Sequence, residues 1–129
     1  NAVGIKTDFK MLQYSALREL NMKGEVPISF QTWGSYSIND ASAMVSQFFK
    51  HGALDSTRDD EVLEWLNVAD SSTAPETRVE YYTKALQKIT GEAFWAPMFT
   101  YNTNYVFKDE VAYTPTSDEV LRFVDMSWK

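Results

Sequence analysis

The chain begins with a strand-like pattern, continues with a helical one and then returns to a strand-like one. Residues 5–10 alternate apolar and polar side chains, which is typical of a half-buried strand. Apolar side chains between Leu12 and Leu20 then recur at helical spacing, and Gly24 follows as a helix terminator. Residues 26–32 form a second apolar run. This order predicts a βαβ unit with two parallel strands and a right-handed crossover.

Three more amphipathic helices are predicted after the second strand. Each apolar stripe follows a short polar side chain that is suited to cap a helix, and the predicted caps are Asn39, Thr57 and Thr73. Pro75 in the first turn and Gly91 at the end mark the bounds of the last helix. The stripes comprise Ala41, Met44, Val45 and Phe48, then Val62, Leu63, Leu66 and Ala69, then Val79, Tyr82, Leu86 and Ile89.

Extended segments and an irregular tail follow the last helix. Residues 94–99 and 104–107 have β-rich composition, although Pro97 restricts the first to the start, edge or crossing of a sheet. Helical periodicity is weak beyond Lys108. We therefore predict an α/β lobe over residues 1–108 and a C-terminal tail over residues 109–129.

Composition excludes several classes of function. A chain of 129 residues with 44% hydrophobic residues can form the core of one soluble domain. The net charge of -6, without a local Lys/Arg cluster, opposes a nucleic-acid partner. No run approaches the roughly 18 apolar residues of a membrane span.

The chain also has few of the side chains that bind metals or act as nucleophiles. The chain has no cysteine, and its single histidine, His51, makes a zinc site or a Ser/His/Asp triad hard to build. We expect His51 in the last turn of a helix, where the negative helix end favours it. We expect no metal, no cofactor and no catalytic residue.

The loop of residues 33–40, here called the Trp33 loop, is the first candidate for a ligand surface. Loops that leave the carboxyl ends of strands bind ligands in open α/β sheets, and amides at a helix start favour polar or anionic groups. Trp33 is either a core aromatic or, with Tyr36, a stacking or lid surface for a solute. Asp40 either stabilises the helix start or orients the loop and meets a cationic group.

The densest acidic cluster, Asp59 with Asp60 and Glu61, has two interpretations. Paired carboxylates are typical of glycosidases, whereas acids in the first turn of a helix are favoured by the helix dipole. The chain contains no GxGxxG, GxxxxGK[ST], GxSxG or HExxH motif. Helix stabilisation is therefore the expected role of this cluster.

Four segments in order resemble the C-terminal part of solute-binding family 5, the extracellular proteins that serve peptide, opine and nickel ABC importers. The segments are Gly4-Ile5-Lys6-Thr7, Trp33-Gly34-Ser35-Tyr36-Ser37-Ile38-Asn39-Asp40-Ala41-Ser42-Ala43, Arg78-Val79-Glu80-Tyr81-Tyr82-Thr83-Lys84-Ala85-Leu86-Gln87-Lys88-Ile89 and Ala96-Pro97-Met98-Phe99-Thr100-Tyr101. The resemblance implies one lobe of a type II periplasmic-binding-protein-like clamshell, which closes over a solute and delivers it to a membrane permease. Asn1 to Gly4 look like the last turn of a helix, so we expect this chain to be most of one lobe plus the tail, which returns to the other lobe.

The resemblance also implies a site and a location. The implied ligand-binding residues are Trp33, Gly34, Ser35, Tyr36, Asp40, Tyr101 and Asn104. The implied location is the periplasm, or the cell exterior as an anchored lipoprotein, with a monomeric full-length protein. Peptide-binding relatives commonly place an aspartate three residues after this tryptophan, where Tyr36 stands here. Unless Asp40 replaces that carboxylate, the ammonium of a peptide with a free amino terminus would be buried without a partner, and the tyrosine suits an opine-like, sugar-containing or blocked peptide solute about as well.

Two alternatives belong to other classes of function. An acid-catalysed hydrolase domain would use Asp40 with a second carboxylate. A free-standing protein-interaction domain would fold cooperatively within these 129 residues.

Overall fold

The computed structural model describes residues 4–34 and 38–129, and in these residues it combines helices with a small sheet. The elements are α1 (Tyr14–Met22), α2 (Ser42–Phe48), α3 (Asp60–Ser71), α4 (Pro75–Gly91), β1 (Val111–Ala112), a short 3-10 helix (Phe123–Asp125) and β2 (Ser127–Trp128). The mixed helix-and-sheet class agrees with the prediction at this level. The chain divides into two compact units, Asn1–Phe30 and Gln31–Lys129.

The first unit consists of α1 with irregular segments on both sides. The helix follows Gln13 in an extended conformation and ends at Met22, and Gly24 takes a left-handed φ of 70°. A glycine in this conformation after a helix is a common terminator, because it has no Cβ to clash. The predicted helix and its stop signal are therefore confirmed.

The predicted βαβ unit is wrong. Residues 5–10 and 26–32 form no strand, and Phe9 and Ile28 are 79% and 86% exposed. An alternating side-chain pattern is not sufficient for a strand, because a strand also needs a neighbouring backbone that supplies the hydrogen bonds of the sheet. Residues 95–107 likewise carry no strand. The small sheet lies elsewhere, in the tail.

The second unit is built around α2, α3 and α4. Val62, Leu66 and Ala69 of α3 are completely buried, at the i, i+4, i+7 spacing of one helix face. Helix α4 contributes Tyr82, Ala85 and Ile89. The remaining core residues are Val45, Phe48 and Phe49. Helices α3 and α4 make the most extensive contact in this core.

The inward face of α4 differs from the predicted one. Val79 and Leu86 were expected in the core, but they are 68% and 41% exposed. Ala85 takes the place of Leu86, and with Tyr82 and Ile89 it completes an i, i+3, i+7 row. The predicted stripe for α4 omitted Ala85, whose small side chain permits close packing of two helices.

The predicted helix caps are wrong: the Asp59 side chain caps α3, whereas α2 and α4 have no side-chain cap at their N-cap residues. Asn39, Thr57 and Thr73 do not cap the helices. The hydrogen bonds at the helix starts run from Ser42 N to Asp40 Oδ1 (2.9 Å), from Val62 N to Asp59 Oδ1 (2.9 Å) and from Ala74 N to Ser72 Oγ (3.1 Å). Asp59 thus belongs to the start of α3, as the helix interpretation of the acidic cluster predicts.

The C-terminal segment closes as an antiparallel pair. Val111 lies opposite Trp128 and Ala112 opposite Ser127. No residue of 109–129 is buried, and Val124 is 90% exposed. The division into a lobe and a tail that packs on another lobe stays a prediction. Across residues 4–34 and 38–129, no helix combines the length and apolarity needed to cross a membrane.

Candidate functional site

Trp33 is attached to the first turn of α2. Its half-buried ring meets Phe48 edge-on, with ring centroids 5.0 Å apart, and its Nε1 donates to Ala43 O at 3.3 Å. The aromatic cluster continues to Trp95, whose ring centroid lies 4.8 Å from that of Phe48. The predicted position at the edge of a sheet is wrong, because no strand leads into Trp33. A helix end and a set of aromatic rings hold it instead.

Glu119 lies near Gly34 and also contacts the segment that follows Tyr101. A Cβ placed on Gly34 would lie 3.8 Å from Glu119 Oε2, and Glu119 Oε1 accepts a hydrogen bond from Thr103 Oγ1 at 2.8 Å. Glu119 has a left-handed φ of 61°, next to an Asp118–Arg122 ion pair in the same turn. The structure therefore brings the start of the Trp33 loop close to residue 103.

The other predicted site residues are less closely connected. Tyr101 is 57% exposed and packs edge-on against Phe99, with centroids 5.5 Å apart, and Asn104 is exposed. Ser35 and Tyr36 lie outside the described residues. The structure thus collects Trp33, Gly34 and Asp40 near the start of α2, and it leaves Tyr101 and Asn104 on an exposed segment whose Thr103 reaches Glu119.

Asp40 stabilises the start of α2 and pairs with a cationic group of the protein itself, while its role in orienting a binding loop stays a prediction. It accepts from Ser42 N near the helix start, and it forms an ion pair with Arg78 of α4. Hydrogen bonds from Ser42, followed by those from Arg78, lower the pKa of Asp40 to about 2. Asp40 is therefore ionised at neutral pH, and its charge is matched by the guanidinium.

Asp40 belongs to a polar cluster that connects α2, α3 and α4. We define the cluster as Asp40, Ser46, Lys50, Asp70, Arg78 and Tyr82. Asp70 accepts from Ser46 Oγ at 2.9 Å, from Lys50 Nζ at 2.8 Å and from Tyr82 OH at 2.6 Å. With two carboxylates and two cations, the cluster is balanced in charge.

The titration of the cluster follows from its burial and its pairing. Burial, followed by the hydrogen bond to the Asp70 carboxylate, raises the pKa of Tyr82 to about 12. Burial alone would raise the pKa of Asp70, but hydrogen bonds from Lys50, Tyr82 and Ser46 lower it on balance. At neutral pH Tyr82 keeps its proton and Asp70 is ionised, so the ionic pattern is fixed.

The pKa values of Asp40 and Asp70 are both lowered, so at neutral pH both carboxylates are ionised and neither holds a proton. Within residues 4–34 and 38–129, no group of three or more His, Asp or Glu side chains is placed to hold a metal ion. The cluster is suited to hold structure in place.

A concave surface opens beside the cluster, with a volume of about 670 Å³. Its lining residues are Ile38, Asp40, Ser42, Asp70, Ser72, Thr73 and Arg78. Arg78, Tyr82 and Asp70 were not among the predicted site residues. The i, i+4 spacing of Arg78 and Tyr82 on α4, which places both on one helix face, is the signal that could have found two of them.

Removing the Tyr82 hydroxyl should destabilise the protein. Tyr82 is 7% exposed and donates to an ionised carboxylate, so we expect Tyr82→Phe to lower the free energy of unfolding by about 2 kcal/mol. The measurement is urea denaturation. Tyr81→Phe, at a half-buried neighbour, is the matched control and should change stability by less than about 0.5 kcal/mol. Equal effects of the two substitutions would contradict the central role of the Tyr82 hydroxyl.

Comparison with known proteins supplies no further guide to this site. The chain matches no family model, no curated protein and no solved structure.

Proposed function

We propose that the chain forms part of the solute-binding component of an ABC importer, which captures a peptide- or opine-like solute outside the cytoplasmic membrane and delivers it to the permease. The observation that carries the proposal is the order of the four family-like segments. Two of them also touch, since Asp40 of the Trp33 segment pairs with Arg78 of the helical segment. This contact gives the two segments a common role in shaping one surface.

Exposed apolar side chains support the assignment to a lobe of a larger fold. Met11, Ile28 and Val106 are 88%, 86% and 95% exposed. In each of the two units, large apolar side chains are thus open to solvent, where another part of the protein or a partner could cover them. In the proposed clamshell, the remainder of the solute-binding protein would cover these segments.

The charges near the Trp33 loop bear on the chemistry of the solute. Arg78 already neutralises Asp40, so Asp40 would supply no unmatched charge to a solute ammonium. The exposed Glu119 carboxylate, beside Gly34, is the acidic group that we propose to meet a cationic part of the solute. Trp33 would provide the stacking surface.

Native mass spectrometry of the full-length protein tests the proposal. We expect a retained small molecule with the mass of a peptide or an opine, released when the protein is denatured. Incubation with a mixed pool of tripeptides and opines should refill the emptied protein. A protein that stays empty in that pool would contradict solute capture, and a macromolecule that stays bound instead would favour the interaction-domain alternative.

Trp33→Ala should separate binding from folding. We expect the substitution to weaken affinity for the retained solute by about 1 to 3 kcal/mol, with a loss of stability below the roughly 3 to 5 kcal/mol typical of a fully buried aromatic. Calorimetry measures the affinity and urea denaturation measures the stability. Trp65→Ala, at another half-buried tryptophan, is the control and should leave affinity unchanged. Unfolding of the Trp33 variant without a separable binding defect would make Trp33 a core residue only.

A further inference from the structure

Arg78 joins three parts of the second unit through one guanidinium group. Its Nη1 donates to Ala69 O at 2.8 Å and to Ser72 O at 3.4 Å, at the end of α3. Its Nη2 donates to the Asp40 carboxylate and to Tyr82 OH, the latter at 3.3 Å. Carbonyls in the last turn of a helix lack partners within the helix, so Arg78 supplies some of those missing donors. Both terminal nitrogens are thus directed at the protein.

A continuous series of hydrogen bonds leads from Arg78 to Trp33. Asp40 receives the guanidinium, accepts from Ser42 N at 2.9 Å and, through its carbonyl, accepts from Ala43 N at 3.2 Å. Ala43 O then accepts from Trp33 Nε1 at 3.3 Å. Helix α2 has seven residues, and isolated helices shorter than about 12 residues are marginal in water. The first turn of α2, to which Trp33 is hydrogen-bonded, therefore depends on contacts such as the ion pair between Asp40 and Arg78.

We infer that Arg78 is a positioning residue for Trp33: it fixes Asp40, and through the first turn of α2 it sets the place of the Trp33 ring relative to α3 and α4. The consequence of this positioning for solute affinity rests on the proposed function. The planar fork of arginine reaches several acceptors at fixed angles, which a lysine ammonium on its flexible stem does not reproduce. Arg78→Lys should therefore behave like a loss of the contact, although it conserves the charge.

Fluorine NMR of the full-length protein labelled with 5-fluorotryptophan tests the inference without any ligand. The Trp33 resonance is assigned by its disappearance in Trp33→Phe. We expect Arg78→Gln, Arg78→Lys and Asp40→Asn each to shift or broaden the Trp33 resonance and to leave that of Trp65 unchanged. Lys50→Gln is the matched control, because it breaks the Lys50–Asp70 pair of the same polar cluster without touching the Trp33 loop. It should leave the Trp33 resonance in place.

Three results would overturn the inference. The Trp33 resonance could stay in place in Arg78→Gln, or it could move as far in Lys50→Gln as in Arg78→Gln. It could also have the same position and width in Arg78→Lys as in the unsubstituted protein. If Arg78→Gln does not fold, Asp40→Asn alone decides, since it keeps the side-chain volume and weakens the same contact. The proposed function fails separately. A moved Trp33 resonance in a protein that retains no solute would uphold the positioning role and reject solute capture.

Discussion

Replacing Leu66 with alanine should lower the free energy of unfolding by about 3 to 5 kcal/mol, because Leu66 is fully buried in the contact between α3 and α4. The loss combines the transfer free energy of the removed methine and methyl groups with the free-energy cost of the cavity they leave. Single domains are stable by only about 5 to 15 kcal/mol, so this one change should remove a large part of the total. Urea denaturation measures it as a lower midpoint at an unchanged slope.

Leu86→Ala is the matched control for this substitution. Leu86 lies within α4 and is 41% exposed, so the change in helix propensity is the same and the difference in burial is isolated. We expect it to cost less than about 1 kcal/mol. Equal losses at the two positions would contradict the inward face of α4, which the sequence pattern assigned to Leu86 and the structure assigns to Ala85.

The helices could be predicted because their signals are local. Apolar residues that recur at i, i+3 and i+4 reveal α1, α3 and α4 to a window of a dozen residues, and Gly24 and Pro75 mark bounds within the same window. The cap of α3 lies two residues from the predicted one because Asp59 has the same short polar chemistry as Thr57. Sequence alone does not show which of two nearby residues has the extended backbone that a cap needs.

The strands could not be predicted in the same way. Residues 5–10 have the alternation of a strand, but a strand exists only where another backbone lies beside it, and no local pattern carries that information. The converse case is the pair Val111–Ala112 and Ser127–Trp128, which is two residues long on each side and shows no alternation to detect. Pairing of distant segments decides both outcomes.

The sequence indicated the Trp33 loop as a candidate site, but it did not reveal the hydrogen-bonded polar cluster around Asp40. The boundary between a predicted strand and a predicted helix identified the Trp33 loop, and Asp40 accepts from Ser42 N and pairs with Arg78, while its part in ligand binding stays a prediction. The partner of Asp40 is 38 positions away, and Lys50 lies 20 positions from Asp70. The separations of such ion pairs follow from helix packing, which single-sequence periodicity does not determine.

Asp55 has a structural role in the loop between α2 and α3 that the sequence pattern did not indicate. It lies in the polar linker between α2 and α3, yet it is 4% exposed. Its carboxylate accepts from His51 N, Thr57 N, Thr57 Oγ1 and Arg58 N at 2.8 to 2.9 Å. His51 and Arg58 both have left-handed φ values, 56° and 50°, which are costly for residues with a Cβ. His51 is thus in this loop and not in the last turn of a helix as predicted, and the Asp55 carboxylate holds the loop together.

Asp55→Ala should therefore lower the free energy of unfolding by about 2 to 4 kcal/mol at neutral pH, since four donors in a closed loop lose their acceptor. Asp60→Ala is the control: its side chain is 95% exposed and lies 3.6 Å from His51 Nε2, and because exposed ion pairs and first-turn acids contribute little, we expect a change below about 1 kcal/mol. Burial alone would raise the pKa of Asp55, but hydrogen bonds from the Arg58, His51 and Thr57 donors lower it on balance. A lowered folded-state pKa means that the stabilisation is complete above about pH 5 and is lost as the pH falls through the folded-state pKa. Urea denaturation at a series of pH values should show the protein and its Asp55→Ala variant converging in acid, and a difference that stays constant with pH would mean that the charge on Asp55 contributes nothing to holding the loop.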